Sequence, residues 1–135
     1  MDPVERKVDT AEQALRRFQE ILGHPADDVV RDSAILRFTL SVETAWKAAR
    51  AVIVHRSGPE KLTSASPKPI VRESQIAGFL TEAQAEAALK MMDDRNLTIH
   101  TYDEAKAEEL FSRLPAHATL IDSWVRAMRA ALARG

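Results

Sequence analysis

Apolar residues recur along this chain at steps of three and four, the spacing of one helix face. Ala11, Leu15, Phe18 and Leu22 form the first row. They predict a helix from the capping residue Asp9 to Leu22, with residues 1–8 as a loose start and Gly23 and Pro25 as its stop. Ile35, Phe38, Val42, Ala45, Ala49 and Val52 form a longer row, with Trp46 close to the same face. That seam predicts a helix over 27–55 packed nearly antiparallel to its neighbours, with Arg31, Asp32, Arg37, Glu43 and Lys47 on its flanks. Arg56 to Ser66 reads as a linker that turns at Gly58 and Pro59.

Ser66-Pro67 opens a short third helix that stops near Gly78. Thr81 with Gln84 is a capping box. It starts a fourth helix expected to reach about Thr101. Ala85, Ala88, Leu89, Met92, Asn96 and Ile99 fall on its core stripe at 100° per residue. Asp103 caps a fifth helix to about Leu114, Pro115 interrupts the pattern, and Ile121, Trp124, Met128 and Ala131 mark a last helix. No stretch alternates in the manner of a strand. The expected fold is all-α, an up-and-down antiparallel bundle of four main helices plus short ones, and 1–135 is read as a single domain.

Composition narrows the functional classes. The 135 residues carry a net charge of −1, so general basicity does not argue for nucleic acid, and any RNA contact requires a local cluster of cations. Cysteine is absent, which removes disulfides and thiolate zinc sites. The histidines show no metal-ligand spacing, and neither a metal nor a cofactor is expected. No apolar run is long enough to span a membrane and residues 1–10 are too polar for a signal peptide, so a cytoplasmic protein is expected.

Chemistry-bearing groups concentrate in Met91 to Glu104, where Arg95, Asn96, His100 and Tyr102 lie within eight residues. Arg95 suits a phosphate, His100 a proton transfer near neutrality, and the Tyr102 phenol stacking or modification. Asn96, one turn before His100, is placed to orient it. Plainer accounts stand beside each. His100 could be a half-buried histidine near a helix end, Arg95 a surface partner of Asp94 or Glu104, Asn96 a polar plug and Tyr102 a rim residue. By helical count Arg95 and His100 lie about 140° apart, so they converge only through a long reach, a distorted helix or a second protomer.

Arg95 to Tyr102 fits an Arg-x4-His-x-Tyr pattern. Together with Arg31 to Lys47 and Ser66 to Ser74, it resembles the HEPN-type nucleotidyltransferase substrate-binding proteins, the helical partners of minimal nucleotidyltransferases. The resemblance covers roughly 10–130. It implies a toxin-like, metal-independent ribonuclease, a homodimer whose Arg95 and His100 line one cleft, and a nearby-encoded nucleotidyltransferase that adds AMP to Tyr102. The family name implies an alternative, a non-catalytic subunit that binds nucleotide or RNA for its partner. Ala88 stands where many relatives carry tryptophan and Thr39 where they often carry glutamate.

Overall fold

The computed structural model describes residues 2–61 and 65–134. It contains α1 (Pro3–Leu22), α2 (Asp28–Ser57), a 3-10 turn at Pro59–Lys61, α3 (Pro67–Ile76), α4 (Glu82–Leu97), a second 3-10 turn at Thr98–His100, and α5 (Glu104–Ala133). The described residues form no strand, in keeping with the expected up-and-down bundle. In the expected linker, α2 persists to Ser57 and residues 62–64 lie outside the described residues.

The helices start where short polar side chains can take up free backbone donors. Asp27 accepts from the Val30 amide at 2.8 Å. Thr81 and Gln84 complete their reciprocal box at 3.1 and 2.9 Å. Asp103 accepts from the amides of Ala105 and Lys106. Gly58, at φ 87°, turns the chain out of α2, a conformation that a side chain would strain.

α2 is the central element and touches every other helix. Its buried row Ala34, Phe38, Val42, Ala45, Ala49 and Val52 faces α1 and α5. Phe18 packs on Phe38 at 5.8 Å between ring centroids, and Phe38 stacks on His117 of α5 at 5.2 Å. Trp124 is fully buried, and Trp46 is buried as its spacing required.

Two expectations fail. Within the expected loose start of residues 1–8, residue 1 lies outside the described residues and the rest is ordered, because Asp2 caps α1 through the Val4 amide at 2.7 Å and Pro3 opens the helix. Val8 is completely buried and Val4 packs on the core. The apolar row therefore begins two turns before Ala11. Pro115 also does not end a helix, for α5 runs through it for 30 residues. Proline removes only one amide donor, and Pro115 is exposed. Leu110, Leu114, Ala118 and Ile121 are buried on both sides of it, and that shared burial outweighs the local penalty.

Polar links tie the ends of the bundle together. Arg129 of α5 reaches Asp9 and Glu12 of α1, the latter at 2.7 Å. Arg31, expected as a flank charge, is buried and donates to Glu108 of α5 at 2.8 Å.

Candidate functional site

The segment from Arg95 to Tyr102 does not continue α4. The helix ends at Leu97 and tightens into the 3-10 turn. Its hydroxyls help to shape this ending, since Thr98 Oγ1 donates to the Arg95 carbonyl at 2.8 Å and Thr101 Oγ1 to the Thr98 carbonyl at 3.0 Å. Side chains that bond nearby carbonyls in this way compete with the regular ladder. The Asp103 amide then donates to the His100 carbonyl at 3.1 Å, just before α5 starts.

Three readings of the segment change with this ending. Asn96 is exposed and Ile99 is 76% exposed, so the core stripe of α4 is Ala85, Ala88, Met91 and Met92, with Leu89 only partly buried. Asn96 does not plug the core, and its Oδ1 accepts from Arg95 at 3.1 Å. The ion-pair partner of Arg95 is neither Asp94 nor Glu104 but Glu43 of α2, engaged through Nε.

These residues line an open groove of about 360 Å³ formed by Thr39, Glu43, Arg95, Asn96, Thr98 and Ile99. Thr39, the unusual residue of the α2 block, thus sits in the same groove as Arg95. His100 is half-buried beside it, and its ring faces that of Tyr102 with centroids 6.2 Å apart. Tyr102 is 84% exposed. No hydrogen bond joins Arg95 or Asn96 to His100 among the described residues. The structure therefore brings Arg95 to Asn96 and His100 to Tyr102, as two adjacent pairs. The groove offers a guanidinium and an amide for an anion, and the chain just beyond Ile99 adds an imidazole able to take or give a proton and a phenol open to solvent.

Beneath the segment lies a polar network with no simple trace in the sequence pattern. Asp94 is buried and receives two bonds from Arg113 of α5, at 2.8 and 2.7 Å. His117, which spacing left unassigned, meets the same carboxylate at 2.7 Å. Asp94 and Arg95 are consecutive, about 100° apart on α4. Fixing one against α5 turns the other toward α2. The paired acids Asp93-Asp94 were the only local signal, and nothing nearby tells which of them is buried.

Burial alone raises the Asp94 pKa, but the bonds from Arg113 and His117, aided by their charge, carry it below the usual carboxylate value. A depressed folded pKa contributes stability that is fully present above the unfolded value near ~4 and is lost as pH falls through the lower folded value. The acid limb of a melting-temperature profile should accordingly flatten in Asp94→Asn. An unchanged limb would exclude Asp94 from the acid response.

The family model described as "Nucleotidyltransferase substrate binding protein like" matches residues 6–130. A crystal structure of a protein from Thermus thermophilus superposes with a TM-score of 0.80 at 39% identity, covering 88% of this chain and 98% of that one. The tri-AMPylated Shewanella oneidensis HEPN toxin in complex with MNT antitoxin gives 0.75 at 18% identity, over 96% and 99% of the two chains. The toxin–antitoxin MntA-HpeT mutant gives 0.76 at 18% identity, over 94% and 97%. At 18% identity the likeness is one of fold. No protein of curated function is similar in sequence.

Proposed function

Because the chain belongs to the nucleotidyltransferase substrate binding protein like family, we propose that it is the HEPN half of a two-gene module with a minimal nucleotidyltransferase. In this reading it is a toxin-like, metal-independent ribonuclease, silenced by AMP addition at Tyr102. The observation that carries it is the pairing of a half-buried imidazole with an 84% exposed phenol, next to the groove that holds Arg95.

In the cleavage step an RNA 2′-hydroxyl attacks the adjacent phosphorus, the bond to the 5′ oxygen breaks, and a cyclic phosphate forms. His100 takes the hydroxyl proton or protonates the leaving oxygen, and Arg95 offsets the charge that gathers on the phosphate. Arg95 and His100 of one chain make no mutual contact, so a homodimer in which two such pairs share a cleft supplies the complement. In the silencing step the Tyr102 oxygen attacks the α-phosphorus of ATP, pyrophosphate leaves and the phenol proton is released. The added AMP puts an anion beside the RNA site and blocks it by charge and volume. The tri-AMPylated state of the Shewanella oneidensis toxin lends support.

Intact-mass measurement after incubation with the partner nucleotidyltransferase, ATP and magnesium tests this. The expected result is a gain of one or more AMP units on the native chain and none on Tyr102→Phe. No gain on the native chain, or an equal gain on Tyr102→Phe, would overturn it. The family description favours a second reading, a non-catalytic subunit that binds nucleotide or RNA for its partner. A native chain inert toward every RNA tested would select it.

A further inference from the structure

A second groove lies on the other flank of the same α2 ridge. Thr39 and Glu43 face the Arg95 groove, whereas Thr44 and Lys47 line a groove of about 220 Å³ completed by Arg6, Lys7 and Thr10 of α1. Its lining holds three cations, two hydroxyls and no carboxylate. This is unusual for a chain in which 20 acids balance 19 Lys and Arg. Several guanidiniums of the fold are neutralised, with Arg31 on Glu108, Arg95 on Glu43, Arg113 on Asp94 and Arg129 on Glu12. Among the described residues Arg6, Lys7 and Lys47 meet no acid at ion-pair distance, and all three are exposed.

Three cations without a carboxylate partner along one groove, Lys47 with its ammonium 5.8 Å from the Trp46 ring centre, attract a row of negative charges more than a single one. Thr10 and Thr44 donate their hydroxyl protons to carbonyls of their own helices, Arg6 at 2.9 Å and Leu40 at 2.9 Å. With those protons engaged, the oxygens keep only lone pairs to offer, which suits a donor such as a ribose 2′-hydroxyl. Lys47 is one turn beyond Glu43, about 6 Å along the axis, so a strand can cross the ridge from one groove to the other within a short span.

We propose that the Arg6–Lys7–Lys47 groove binds the phosphate backbone of single-stranded RNA as it leaves the Arg95 groove. The inference rests on the ribonuclease reading for the identity of the polyanion.

The test is fluorescence anisotropy with a labelled single-stranded RNA, in a His100→Ala background so that the strand stays intact, across a salt series. Removing three phosphate contacts with Arg6→Ala, Lys7→Ala and Lys47→Ala together should lower the slope of log affinity against log salt by about 2, at roughly 0.7 per contact. Removing Arg56, Lys90 and Arg134, exposed cations outside the groove, should leave the slope within about 0.5 of its starting value, less than one contact. An unchanged slope in the first variant, an equal fall in the second, or no RNA binding by the starting protein would each overturn the proposal. If binding falls as expected while the native chain cleaves no RNA, the groove assignment stands and the ribonuclease reading alone fails.

Discussion

His100→Ala is expected to lower RNA cleavage by roughly 10²–10⁴-fold, the usual contribution of a positioned acid or base, while the melting temperature stays close to that of the native chain. The asymmetry follows from the surroundings of the ring. Within the described residues the His100 side chain makes no hydrogen bond or ion pair, and its ring centre lies 6.2 Å from that of Tyr102. Its removal strands no buried partner, so stability should change by no more than about 0.5 kcal/mol. Arg95→Ala should also abolish cleavage, but it leaves Glu43 without its counter-charge and so should carry a small stability change. Cleavage should survive EDTA, as the family resemblance implies. Activity that persists in His100→Ala would remove the histidine from the mechanism.

Asp94→Ala is the substitution expected to damage the fold most among the polar residues around the groove. It would leave His117 buried with no acceptor and Arg113 without its bidentate partner. Breaking a buried pair from one side costs about 3–5 kcal/mol. The lower end, about 3 kcal/mol, applies here because Arg113 keeps 36% of its side-chain surface in water and can rehydrate. A domain of this size has only about 5–15 kcal/mol in total. Urea unfolding measures the loss, and a change below about 1 kcal/mol would show that the network is not a structural anchor. Asp94→Ala combined with His117→Ala should cost less than the sum of the two single changes, since the second removes the group that the first leaves unpaired.

Most of the bundle was legible because its cause is local and periodic. The row from Ile35 to Val52, the Thr81–Gln84 box and the Asp103 cap each depend on residues a few positions apart. The failures have longer reach. A count of about 100° per residue put Asn96 in the core and, carried past Leu97, Ile99 as well. The hydroxyls of Thr98 and Thr101 end that geometry, and periodicity does not register such bonds. Pro115 looked like a break because the local penalty is visible and the burial on both sides of it is not. The choice between Asp93 and Asp94 depends on Arg113 and His117, 19 and 23 residues further on. Glu43, read as a flank charge, becomes the partner of Arg95 only when α2 and α4 are side by side.

That last pairing makes anion binding an exchange reaction. A phosphate approaching Arg95 has to displace the Glu43 carboxylate, trading one contact for another and leaving an acid to be resolvated. Under the proposed function a lone phosphate would gain little from the exchange, since one charge contact replaces another. A ligand held simultaneously elsewhere on the surface raises its own local concentration at Arg95 and shifts the exchange. Under the proposed function the carboxylate would act as a threshold, favouring length of ligand over charge alone.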